Sequence, residues 1–180
     1  MRARLTMSLA ALAVAVLPGC AGETPPQGEA VAARTDTQPS EQDRAWMRAI
    51  HEGNLAEVQA GRLAEDKGAA RRIKLIGKML VEDHTELDVK VTKAASQLGI
   101  QLPTSPSAEQ RAEIVRLHDA VGRDFDQDFT AAMMKEHTTA LAATRKQIAD
   151  GSSPVVVSLA RAAAPVLQQH LDALHEGHGE

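Results

Sequence analysis

The chain has 180 residues, of which 43% are hydrophobic but only 2% aromatic, and a formal charge of −4 with no tyrosine. With no basic stripe it lacks the electrostatic footprint of a nucleic-acid binder. A core made from Ala, Leu, Val, Ile and Met suits close-packed helices better than aromatic-rich strands.

At the start, Arg2 and Arg4 precede an apolar run from Leu5 to Leu17, the charged-then-apolar order of a secretory signal. The run is too short for a spanning helix, which needs ~20 apolar residues. It ends in Leu17-Pro18-Gly19-Cys20, which resembles the lipobox at which lipoprotein signal peptidase cuts before a diacylated cysteine. Pro18 departs from the small or aliphatic residue usual at its place. Cys20 is the only cysteine, so no disulfide can form within the chain, and acylation is the reading that gives it a use. An ordinary cleaved signal with a free thiol nearby is the competing reading. Ala21, where an Asp would otherwise stand, resembles the outer-membrane sorting pattern of a double-membrane bacterium.

The expected organisation is therefore a lipoprotein signal peptide over 1–19, a lipidated Cys20 with a tether to 39, a helical domain over 40–176 and a polar tail over 177–180. Such a domain sits on the periplasmic side of the cell envelope, with the membrane as its partner through the lipid. Removing Arg2 and Arg4 takes the formal charge from −4 to −6. From Ala21 to Pro39 the chain is rich in Gly, Pro, Thr, Gln and Ala without apolar periodicity. It cannot bury enough apolar surface to offset its ordering entropy.

Ser40 followed by Glu41 and Asp43 predicts a helix start, with the helix running to about Lys67. Its inward stripe is Met47, Ile50, Asn54, Glu57, Gly61 and Ala64, and Gly53 and Gly61 are assigned to close helix approach, with merely tolerated glycines as the alternative. A second helix is predicted from about Ala70 to Leu98, with Ile73, Ile76, Leu80, His84, Leu87, Val91 and Ala94 in register and Gly99 as its C-terminal cap. Ser107 and Gln110 predict a capping box for a short helix to about Ala120. A third long helix follows from Gly122 to Asp150, with Phe125, Phe129, Met133, His137, Leu141, Thr144 and Ile148 on one stripe. After Pro154 a fourth carries Val156, Leu159, Ala163, Val166, His170 and Leu174, with Pro165 inside it as a kink.

Four long helices in two short-loop pairs, joined by about twenty residues that hold a short helix, predict an all-α fold. The expected form is a ferritin-like four-helix bundle with one crossover connection carrying a short extra helix. An ungapped echo of Leu80–Thr85 in Met133–Thr138 agrees with paired halves. A plain up-and-down bundle is the alternative.

Each long helix sets one metal-ligand type on its apolar stripe: Glu57, His84, His137 and His170. Buried ionisable groups need partners. At ~1.5 Å per residue the four lie roughly 17, 23, 20 and 15 Å from one end of the bundle, provided that the crossover runs its full length. This convergence makes them a candidate site for a divalent Zn, Fe, Mn or Cu ion. The plainer reading is a non-catalytic envelope or stress-response protein whose histidines are structural. A di-iron oxidase is disfavoured, because Val81, Met134 and Leu167 occupy the places where Glu-x-x-His motifs would put a carboxylate. No catalytic motif of another class is present, and an enzyme is the least favoured reading.

Asp83 and Glu136, each adjacent to a stripe histidine, are assigned to boundary or surface positions. Asp124, Asp126 and Asp128 are assigned as solvated helix-start acids rather than a calcium loop.

The segments Gly53–Val58, Asp83-His84-Thr85, Gly99–Pro103, Phe125-Asp126, His137 and Pro165–His170 together resemble domain-of-unknown-function family 4142, over roughly Arg44 to Leu174. The resemblance implies a ferritin-like fold and an outer-membrane location, and it implies no activity. Phe129 is a small departure from the residue usual at its position.

Overall fold

The computed structural model describes residues 38–176, so the signal segment, Cys20, nearly all of the tether and the tail 177–180 lie outside the described residues. Five helices follow one another: α1 (Glu41–Lys67), α2 (Arg71–Leu98), α3 (Ala108–Asp119), α4 (Gly122–Asp150) and α5 (Pro154–His175). Among the described residues there is no strand.

Local chemistry sets the boundaries. The Ser40 hydroxyl accepts from the Asp43 backbone N–H at 3.1 Å, while the Asp43 carboxylate accepts from the Ser40 N–H at 2.8 Å, a reciprocal cap. Ser107 and Gln110 repeat the device at the start of α3. Gly99 ends α2 at φ +64, a left-handed conformation that costs glycine nothing.

Helix directions follow from hydrogen bonds at the two ends. Asp43 accepts from Gln147 Nε2 at 2.5 Å, Ser152 Oγ at 2.7 Å and Ser153 N at 3.1 Å, joining the start of α1 to the α4–α5 turn. At the other end Asp126 accepts from the N–H groups of Ala69 and Ala70, both at 2.9 Å. The α1–α2 turn thus lies beside the first turn of α4. Hence α1 is antiparallel to both α2 and α4, while α2 and α4 are parallel, and the chain must cross the full length between them. Residues 99–121 make this crossing and carry α3, which packs on α1 and α4. The long helices contact in a ring, α1 to α2 to α5 to α4 and back to α1.

Asp126 corrects one expectation. It is not merely a solvated acid: its carboxylate holds the N–H groups of Ala69 and Ala70 just ahead of α2, whose N-cap residue, Ala70, has no side chain able to accept.

Two apolar clusters fill the interior. One gathers Trp46, Met47, Ile50, Leu87, Val91, Leu141, Leu159 and Leu167; the other gathers Ala64, Ile73, Leu80, Leu117, Phe125, Phe129, Met133 and Leu174. On α5 the stripe passes through Leu167, fully buried, rather than the half-buried Val166. The spacing Ala163, Leu167, His170, Leu174 keeps one face, and α5 continues through Pro165.

The two glycines of α1 have different roles. A Cβ on Gly61 would meet the Gly77 carbonyl oxygen at 2.7 Å, and one on Gly77 would meet that of Gly61 at 2.6 Å, so α1 and α2 touch backbone to backbone there. At Gly53 a Cβ would meet nothing within 4 Å, which overturns its assignment to close approach.

Gly61→Ala and Gly77→Ala are each expected to cost about 1–3 kcal/mol through overpacking. Gly53→Ala is expected to gain about 1 kcal/mol from helix propensity. Urea denaturation of the three variants measures the contrast.

Asp43 generates a pH dependence. Burial opposes its charge, but hydrogen bonds from Ser152, Ser40 and Gln147 outweigh that and hold its carboxyl at about 2. The folded value lies below the unfolded one, so its contribution is complete above the ordinary carboxylate range and is lost as pH falls from about 4 towards 2. Asp43→Asn should flatten the stability-against-pH curve in that window, as read by thermal unfolding.

Candidate metal centre

Between the two apolar clusters lies a polar layer contributed by all four long helices. Asn54 and Glu57 come from α1, His84 from α2, His137 from α4 and His170 from α5, each at most 3% exposed. The sequence spacing brings His84, His137 and His170 within ligand range of one another, with Glu57 packed beside His84. Ligand nitrogens of His84, His137 and His170 lie within 4.8 Å of one another. Glu57 reaches them as well: Oε2 contacts His84 Nε2, and Oε1 lies 3.6 Å from His137 Nδ1.

The outer nitrogen of each ring is engaged by an acceptor. His137 Nδ1 donates to the Met133 carbonyl oxygen, one turn back on α4, at 2.9 Å. His170 Nε2 donates to Asp83 Oδ2 at 2.9 Å. His84 Nδ1 donates to Asn54 Oδ1 at 2.9 Å, and the orientation of that amide is set by its Nδ2, which faces Asp88 Oδ1 at 3.4 Å. His51 Nδ1 lies 2.6 Å from Asp88 Oδ1, and His51 Nε2 lies 2.9 Å from the Pro103 carbonyl oxygen. A continuous chain of polar contacts therefore runs from the crossover segment to His84.

These acceptors fix the tautomers. In a neutral imidazole one nitrogen carries the hydrogen and the other a lone pair. In the neutral form, with the hydrogen turned outward, the rings would direct three lone pairs inward, on His84 Nε2, His137 Nε2 and His170 Nδ1. The first two nitrogens are 3.4 Å apart and the last two 3.0 Å. At metal–nitrogen distances of 2.0–2.1 Å, two ligands on one edge of a tetrahedron sit about 3.3 Å apart. Glu57 Oε2 is buried against His84 Nε2, and Glu57 Oε1 approaches His137 from its Nδ1 side.

Donor atoms this close repel one another unless a proton or a metal ion lies among them. The ionisation tendencies agree. Burial would raise the Glu57 carboxyl, yet its neighbours His137, His84 and His170, with a side-chain hydrogen bond from His84, outweigh it and hold the group at about 2. Burial pushes His137 down, against the pull of Glu57. Burial likewise pushes His170 down to about 4, against the hydrogen bond to Asp83. The site favours an ionised Glu57 and neutral His137 and His170, which are the forms that bind metal.

One of the two acids beside the stripe histidines does more than its boundary position suggests. Asp83 is not simply a boundary acid: it turns towards α5, not towards its neighbour His84, and orients His170. A carboxylate on the far nitrogen of a ligand histidine fixes its tautomer and raises its basicity. Glu136 is half-buried, and burial together with the Glu57 carboxylate pushes its own carboxyl up. His175 is exposed at the end of α5 and stands apart from the cluster.

The profile of a family described as Domain of unknown function (DUF4142) matches residues 28–176, most of the chain. The chain belongs to that family. No curated protein and no solved structure matches it. The family assignment carries no activity with it, so the chemistry of the polar layer has to speak for function.

Proposed function

We propose that this member of the family is an envelope-anchored, ferritin-like four-helix bundle that binds one divalent metal ion, Zn, Fe, Mn or Cu. His84, His137, His170 and Glu57 would hold the ion, and a lipid on Cys20 would hold the protein to the membrane. The single observation that carries the metal reading is the buried cluster of His84, His137 and His170, whose ligand nitrogens lie within 4.8 Å of one another, with the Glu57 carboxylate against His84.

Other features support it. Imidazole with one carboxylate is a borderline donor set, suited to first-row divalent ions rather than calcium or magnesium. Each histidine is held from behind, by Asn54, Met133 or Asp83, so the donor geometry is organised before any ion arrives. The ring of long helices with one full-length crossover supports the ferritin-like reading. The bridging carboxylates of a di-iron pair have no counterparts at Val81, Met134 and Leu167, which favours binding or buffering of a single ion over oxygen chemistry. The role of the ion is to neutralise the inward donors; the chain supplies their orientation and their exclusion from water.

Elemental analysis of tag-free protein is expected to give one ion per chain after reconstitution. His137→Ala should abolish retention, and Asp83→Ala should weaken affinity by about 10–100-fold without unfolding the domain. Failure to retain any of Zn, Fe, Mn and Cu, with thermal unfolding unchanged by each, overturns the reading and leaves the histidines as structural core residues.

The anchor reading rests on the lipobox resemblance at Leu17–Cys20. Mass spectrometry of the mature N-terminus is expected to show acyl chains on Cys20. An unmodified thiol there would reduce the reading to plain export.

A further inference from the structure

The inward donors are buried, but one side of the layer is open. A cleft of about 180 Å³ enters between α1, α3 and α4 and ends on Glu57 and His84. Glu52 and Glu136 also line it, while no lysine or arginine does. Glu57 Oε2, the buried oxygen without a hydrogen-bond partner, belongs to a residue of its inner wall. Gly53 lines the cleft too, and since a Cβ there would meet nothing within 4 Å, the glycine preserves space rather than contact.

On the opposite side, between α2 and α5, the outer nitrogen of His170 is already engaged by Asp83. Along the bundle axis the two apolar clusters close the layer from both ends. The cleft is well below the ~300–1,000 Å³ of sites for organic ligands. Its carboxylates, set in low-dielectric walls, concentrate cations.

We propose that this cleft is the exchange route of the metal ion, and that Glu136 is the carboxylate that takes the hydrated cation from solvent and passes it to Glu57. The inference rests on the metal-binding reading of the site. It assigns Glu136 a kinetic role distinct from that of the four ligands: it stands on the path and speeds transfer in both directions, without setting the final affinity.

The test uses tag-free, metal-free full chain, with cobalt(II) as the probe. Entry is followed by stopped-flow at the cobalt d–d bands, and zinc(II) release by transfer to excess chelator. Gly53→Leu fills the cleft and should slow entry and release by about tenfold or more, with Kd changed much less, in keeping with the one to three decades over which association rates vary. Its melting temperature should not fall, because the added side chain enters open space. Glu136→Gln should slow entry by about tenfold at low ionic strength, and the difference should shrink as salt is added.

Wild-type rates in both variants, with cobalt still bound, would place the route elsewhere and leave the metal site standing. A weaker Kd in Glu136→Gln arising from faster release alone would make Glu136 a ligand and overturn its transfer role. No cobalt or zinc bound by the unaltered chain would remove this inference and the proposed function together.

Discussion

The constraint on which the rest of the structure depends is the meeting of four inward-facing donors from four helices in one buried layer. Desolvating a carboxylate and three imidazoles costs several kcal/mol unless each finds compensation. The compensation has two parts. Asn54, Met133 and Asp83 engage the outer nitrogens, and the histidine neighbours stabilise the ionised Glu57. Both parts require each helix to hold one register, because a slip of one residue turns its donor by about 100° away from the layer.

Several features elsewhere serve that register. Asp43 binds the start of α1 to the α4–α5 turn, and Asp126 binds the α1–α2 turn to α4, so α1 is fixed against α4 at both ends. The mutual contact of Gly61 and Gly77 fixes α1 against α2 about one turn from Glu57. His51, Asp88 and Asn54 tie the crossover segment to the orientation of His84. Much of the polar chemistry that looks peripheral therefore acts on the same four side chains.

The main outline was legible in the sequence because helical periodicity and capping are local. Ser40, Ser107 and Gly99 mark their boundaries through bonds to neighbours a few residues away. The convergence of Glu57, His84, His137 and His170 was legible too, since one residue type on each apolar stripe at similar depth is a one-dimensional signal. Partnerships across helices were not. Asp83 and Asp126 look alike as helix acids, and only the placement of α5 and of the α1–α2 turn gives them separate tasks. Gly53 and Gly61 look alike for the same reason, although one faces open space and the other a backbone oxygen. The echo between Leu80–Thr85 and Met133–Thr138 had more content than its letters suggested. In each copy the acid beside the histidine points away from it, Asp83 to α5 and Glu136 to the cleft.

The division of the interior into two apolar clusters has a consequence for cooperativity. Each cluster takes a segment from every long helix, so each is a small bundle in its own right, and the polar layer is the joint between them. Apolar packing inside one half does not by itself hold the other half closed. Sub-global opening divides along such joints, and here the helices' own backbones and the donor layer are what span it. The layer is then a mechanical coupling as well as a candidate metal site: contacts among Glu57, His84, His137 and His170 tie the four helices together between the two halves.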